Sequence, residues 1–140
     1  MAKTVLVPMD HSPLARRALD FALEEYPEAD LIVLHVVDFV EESYAGKLLV
    51  GPEELRERGR ERTEQLFDEV RQTAESHPGG LRTVLEFGKP AREIVDYAED
   101  EDVDLVIIGS HGRSIVSRIV LGDVAQTILE RASMPVTVVR

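Results

Sequence analysis

The chain contains no cysteine, which excludes a disulfide framework and any thiolate metal site. Lysine is scarce and occurs only at Lys3, Lys47 and Lys89. No apolar run approaches the roughly 20 residues that a membrane-spanning helix requires. The opening Met1-Ala2-Lys3-Thr4 leads straight into strand-like sequence, without a signal-peptide pattern. Linkers, internal repeats and low-complexity stretches are also missing. The 140 residues suffice for one domain with a real core, so residues 1–140 read as a single domain.

Acidic residues are plentiful. Asp and Glu number 27 against 16 Lys and Arg, for a formal net charge of −11. Such a surface argues against nucleic acid and anionic membranes as partners. The expectation is a cytoplasmic protein that binds neither. Many carboxylates with little lysine fit a high-salt cytoplasm, and equally fit a drift in composition.

Apolar runs alternate with helical periodicity along the whole chain. Thr4 to Met9 reads as a short strand. Ser12 and Pro13 then open a helix, Ser12 as N-cap and Pro13 in the first turn. Leu14, Ala15, Ala18, Leu19 and Ala22 recur on one face, and Tyr26-Pro27 ends the helix. Leu31 to Val37 is a second strand, apolar enough to be covered on both faces. Asp38 to Gly51 is irregular and reads as a long surface loop. A second helix runs from Pro52 to about Ser76 with Leu55, Leu66, Val70 and Ala74 inward. Its alternating Arg and Glu residues read as a solvated face. Pro78-Gly79-Gly80 is a turn, and Arg82 to Phe87 a third strand of weaker pattern. A third helix starts at Gly88-Lys89-Pro90, with Ala91, Ile94, Val95 and Ala98 inward. Leu105 to Gly109 is a fourth strand, Gly122 to Arg131 a fourth helix, and Pro135 to Val139 a last strand. Strands alternating with helices imply an α/β fold, a doubly wound parallel sheet with helices on both faces. Ligands bind such sheets beyond the carboxyl ends of the strands, where the winding reverses.

Two loops at those ends attract attention. In Leu105-Val106-Ile107-Ile108-Gly109-Ser110-His111-Gly112-Arg113 an apolar run breaks at a glycine, and Gly112 and Gly122 follow. Backbone amides of such a loop can face a phosphate, although glycine also serves packing alone. The spacing is neither that of a P-loop, since no Lys-Ser or Lys-Thr follows, nor that of a dinucleotide fingerprint. Arg113 and Arg118 offer charge to a phosphate, yet a loop arginine is ordinarily solvated. After the first strand, Asp10 can accept from a ribose hydroxyl or an adenine amine, or merely cap the loop. Ser12 is explained by N-capping, with ligand contact as a second role. If the first and fourth strands are neighbours, His11 and His111 approach each other beside Asp10. No helical His-x-x-x-His spacing supports a metal site there, and none is assigned. His35, inside an apolar strand, reads as a hydrogen-bonded core residue. No nucleophilic elbow or acid–base pair of carboxylates is present.

Five segments together resemble the universal stress protein family over essentially the whole chain. They are Leu6-Val7-Pro8-Met9-Asp10-His11-Ser12, Leu34-His35-Val36-Val37-Asp38, Gly109-Ser110-His111-Gly112-Arg113, Leu121-Gly122-Asp123-Val124-Ala125 and Pro135-Val136-Thr137-Val138-Val139. The resemblance implies a five-stranded parallel sheet of order 3-2-1-4-5 and a homodimer through the C-terminal strand. In nucleotide-binding members a Gly-x2-Gly-x9-Gly-Ser/Thr motif wraps the phosphates of ATP. By position, Gly109, Gly112, Gly122 and Val124, with Arg113, would inherit phosphate contacts. Pro8, Asp10 and Ser12 would line the adenosine side, Val36 would offer backbone bonds to adenine, and Ile108 and Asp123 complete the implied nucleotide-binding set.

Asp123 departs from the pattern, standing where the family carries Ser or Thr. An ionised carboxylate cannot donate to phosphate, and at about 4 Å two unit charges repel by about 1 to 4 kcal/mol, according to the dielectric. A divalent cation such as Mg2+ between Asp123 and the phosphates would reverse the sign. Three functions follow from the resemblance: an ATP-binding stress-response regulator, a family member acting through its surface without nucleotide, or a slow nucleotide hydrolase or metal-dependent phosphatase. The first is the leading expectation, and no catalytic residue is assigned.

Overall fold

The computed structural model describes residues 3–38, 51–110 and 122–140. The long loop expected between Asp38 and Gly51 lies almost wholly outside these residues, as do His111, Gly112, Arg113 and Arg118. Five strands, β1 (Thr4–Pro8), β2 (Asp30–Val37), β3 (Leu81–Phe87), β4 (Leu105–Gly109) and β5 (Val136–Val139), alternate with α1 (Pro13–Glu25), α2 (Pro52–Thr73), α3 (Pro90–Asp100) and α4 (Asp123–Arg131). Element order and type agree with the sequence expectation, and boundaries move by at most a few residues.

All strand pairs are parallel, in the order β3-β2-β1-β4-β5. The order follows from burial. β1, β2 and β4 are the near-continuous apolar runs, and the sheet centre is where both faces are covered. Val5, Val7, Leu31, Val33, Leu105 and Ile107 point to one face, against Ala15, Ala18, Leu19 and Ala22 of α1 and Leu66, Phe67 and Val70 of α2. Leu6, Ile32, Leu34, Val106 and Ile108 point to the other, against Ile94 and Ala98 of α3 and Ala125 and Ile128 of α4. β3 had the weakest pattern because it lies at an edge and is only half-buried along most of its length.

The helices start where the sequence marks them. The Ser12 hydroxyl accepts from the Ala15 amide at 3.2 Å, with Pro13 at the first position of α1. Arg58 pairs with Glu54, and Arg71 with Asp68, each at 2.9 Å on the solvated face of α2. Exposed pairs of this kind contribute little. Arg56 and Arg60 do something the charge pattern did not reveal. Their guanidinium carbons lie 5.3 and 5.8 Å from the Phe87 ring centroid, covering the edge strand.

Candidate functional site

Because every strand is parallel, every helix begins at the carboxyl edge of the sheet. The winding reverses between β1 and β4, which are neighbours. A cavity of about 340 Å³ opens there, within the size range of small-molecule clefts. Its lining includes Pro8, Asp10, Ser12, Val36, Ile108, Gly109, Gly122, Asp123 and Val124. Nine candidates spread over the chain are thus gathered in one place, while Gly112 and Arg113 lie outside the described residues. The lining also contains Met9, His35, Pro90, Ile94 and Ser110, which the sequence did not single out as site residues.

The β1 side is built by a tight exit from the strand. One Asp10 carboxylate oxygen accepts from the Ser12 amide at 2.8 Å, a local turn that positions the start of α1. The loop-capping role of Asp10 is therefore real, and the half-buried carboxylate still lines the cavity. The Met9 carbonyl accepts from His35 Nδ1 at 2.7 Å. His35 is hydrogen-bonded as expected, though half-buried rather than core. Its ring meets that of His11 edge-on, with centroids 5.9 Å apart. Among the described residues no group of three or more His, Asp or Glu is placed to hold a metal ion.

Val36 owes its role to register. Pairing of β1 with β2 ends at Pro8 and Leu34, and the Leu34 carbonyl accepts from Met9. Backbone groups alternate sides along a strand, so Val36 turns its N–H and C=O the same way as Leu34. At Val36, however, the β1 ladder has already stopped, and these groups face the space beyond it.

The opposite side is the start of α4. Gly122 is the N-cap and contributes no side-chain cap. Its amide donates to the Ser110 carbonyl at 2.6 Å, while the Ser110 amide donates to the Val139 carbonyl at 2.8 Å. The two bonds clasp the end of β4 to the start of α4. The first helical bond is Gln126 N–H to the Gly122 carbonyl. The amides of Asp123, Val124 and Ala125 are thus donors without an intrahelical acceptor, and all three residues line the cavity. The α3 end is similar, with Pro90 at its first position and no side-chain cap on Lys89. Helix N-termini carry partial positive charge. Asp123 is exposed, and its carboxylate has no hydrogen bond or ion pair among the described residues.

Gly109 has a reason independent of any ligand. A Cβ there would lie 2.8 Å from the backbone carbonyl of Leu14 in α1. The missing side chain lets α1 pack against β4.

The family model for the universal stress protein family matches residues 1–140. A similar curated relative is universal stress protein MJ0577 of Methanocaldococcus jannaschii, 30% identical, with 100% of this chain and 96% of the relative covered. The solved structure of protein MJ0577 superimposes with a TM-score of 0.84 at 31% identity, covering 99% of this chain and 96% of that one. Two more distant structures establish the fold alone. One is a universal stress protein family protein from Arabidopsis thaliana with AMP bound, with a TM-score of 0.68, 19% identity, and 98% and 90% of the two chains covered. The other is the universal stress protein from Archaeoglobus fulgidus in complex with dAMP, with a TM-score of 0.66, 21% identity, and 100% and 98% covered. Motifs, strand order and whole-chain match agree: the chain belongs to the universal stress protein family.

Proposed function

We propose that the chain binds an adenine nucleotide in the cavity between β1 and β4 and acts, as a cytoplasmic homodimer, as a nucleotide-responsive regulator of the stress response. The observation that carries the reading is the polarity of the cavity. At one wall the backbone of Val36, past the end of the β1 ladder, offers a donor and an acceptor, as an adenine edge requires, with Asp10 on the same wall for ribose hydroxyls. At the other, the amides of Asp123, Val124 and Ala125 end α4 toward an anion. Relatives that hold AMP and dAMP support the ligand class. The nucleotide would be a signal rather than fuel. Mass spectrometry of small molecules released from the denatured, purified protein tests this, together with calorimetry using adenosine, AMP and ATP. Binding of none of the three would overturn the reading.

The dimer rests on β5. Val136–Val139 is an edge strand, half-buried throughout, bonded to β4 on one side only among the described residues. An apolar, β-branched edge favours a symmetric partner. Light scattering showing a monomer at micromolar concentration would remove that part of the proposal.

One observation favours a second reading, a family member that works through its surface without nucleotide. Asp123 puts an exposed carboxylate, without an ion pair among the described residues, at the wall that would meet phosphate. Mg2+ between Asp123 and the phosphates would remove the conflict, and calorimetry with magnesium and with a chelator separates these cases.

A further inference from the structure

A second cavity, of about 220 Å³, lies between α1 and α2. It is smaller than the cleft that holds a drug-sized molecule. Met9, at the exit of β1, borders both this space and the one between β1 and β4. Alternation along the strand puts the Met9 side chain with Val5 and Val7, in the cluster against α1 and α2. The two cavities therefore meet different parts of one residue.

Floor and rim of the groove differ in chemistry. Met9, Leu19, Leu66 and Val70 are buried and make an apolar floor. The rim carries Arg16 and Asp20, one turn apart on α1, and Glu69 and Thr73, one turn apart on α2. Arg16 is the one cation among the described lining residues, and it donates to Glu69 across the groove at 2.9 Å. The Thr73 hydroxyl donates to the Glu69 carbonyl at 3.0 Å, which leaves its own oxygen free to accept. The Asp20 carboxylate lines the groove and has no hydrogen bond or ion pair among the described residues. Above an apolar floor, the rim thus holds surplus acceptors and more carboxylate than guanidinium.

We infer that this groove is a second ligand site, for a small organic cation: a primary ammonium on a short apolar chain. The ammonium donates to Asp20 and to the Thr73 hydroxyl, and the chain lies on the Met9 and Leu66 floor. The three N–H donors of an ammonium answer the surplus acceptors, and the chain gains by leaving water. Methionine is an adaptable filler, so the floor can yield to the chain. An anion would be repelled by Asp20 while Arg16 is engaged by Glu69. The site does not depend on the nucleotide reading of the other cavity.

The probe is n-butylammonium chloride, titrated into the full chain at fixed ionic strength and followed by backbone amide chemical shifts. The uncharged probe of equal chain length is n-butanol. The expected result is saturable binding of butylammonium at about millimolar concentration, the scale for so small a ligand, with shifts at residues 16–20 and 66–73. Its affinity should exceed that of butanol by about threefold to fivefold, as for a partly exposed charge pair. Asp20→Asn, at an exposed position, should bring butylammonium down to the level of butanol without changing the melting temperature. Absence of saturable shifts overturns the inference. So does equal affinity of the parent for the two probes, or equal butylammonium affinity of parent and variant. Shifts confined to the exits of β1 and β4 would put the cation in the other cavity and overturn it as well.

Discussion

The two ends of the sheet are made by the same five strands and differ in what they leave undone. At the amino end backbone and side chains are joined by a set of bonds, with His77 Nδ1 a buried nitrogen left without a partner among the described residues. Thr4 and Asp104 exchange two bonds, Thr4 N–H to Asp104 Oδ2 at 2.8 Å and Asp104 N–H to the Thr4 carbonyl at 2.9 Å. Asp30 donates to the Lys3 carbonyl and Leu31 to the Gly80 carbonyl, both at 2.8 Å. His77 Nε2 bonds the Ala29 carbonyl at 2.8 Å. At the carboxyl end, Val36 faces past the end of its ladder and α4 starts without a side-chain cap. Unmet polar groups around a cavity are costly in the free protein and useful to a ligand. The contrast teaches that the cavity, and with it the proposed binding site, lies at the end where helix starts and a strand end leave backbone donors uncapped.

The largest expected effect sharpens that contrast at the binding end. Gly122 has an ordinary φ of −66°, so a side chain is compatible with its backbone, and the residue lines the cavity beside Asp123 and Val124. Gly122→Val should weaken nucleotide binding by about a hundredfold, ~2.7 kcal/mol, while cooperative melting persists. Calorimetry finding parent-like affinity would mean that this wall is not the phosphate wall.

Next comes the amino end. A Cβ on Gly79 would collide with the Ala29 carbonyl, a backbone atom that cannot move cheaply, and lie 2.7 Å from His77 Nε2. Gly79→Ala should cost about 1–3 kcal/mol, the usual range for overpacking, measured by denaturant melts. Nucleotide affinity should stay unchanged. A parallel loss of affinity would break the contrast between the two ends.

A smaller gain is expected at Asp123. Asp123→Ser replaces a repelling carboxylate with a donor and should raise ATP affinity about tenfold, ~1.4 kcal/mol, less for adenosine, and less at high salt. If Asp123 acts through a divalent cation, the same change should weaken binding, and only with magnesium present. No change in either condition would leave Asp123 as a favourable charge at the N-terminus of α4.

The smallest effect belongs to neither end. Burial, opposed by Arg82 and reinforced by Glu101 and Glu86, raises the Tyr97 phenol above its ordinary value of 10.0. A folded-state value above the unfolded one means the stabilising contribution is full below the ordinary value and is lost as pH rises through the raised one. The parent should therefore lose stability above about pH 10 slightly faster than Tyr97→Phe. Melting curves with equal alkaline slopes would refute it.

Much of this was legible in the order of residues. Uninterrupted apolar runs at Val5–Val7, Leu31–Leu34 and Leu105–Ile108 announce strands covered on both faces, and Ser12-Pro13 announces a helix start, because these signals act over a few neighbouring residues. β3 was read weakly because half-burial at an edge relaxes the pattern. The departing carboxylate at Asp123 was visible as a letter, and its exposed setting at the start of α4 was not.

By itself, then, the sequence determined the alternation of strands and helices, the family, and the glycines and carboxylate at the exits of β1 and β4, since local periodicity and spacing carry that information. Only the tertiary structure decided the rest. It joined Ser110 to Gly122 and Val139 through backbone bonds, left the buried His77 Nδ1 without a partner among the described residues, and gave Gly109 a packing reason in α1. Whether a polar group is satisfied depends on atoms distant in the chain, and long-range packing alone brings those atoms together or keeps them apart.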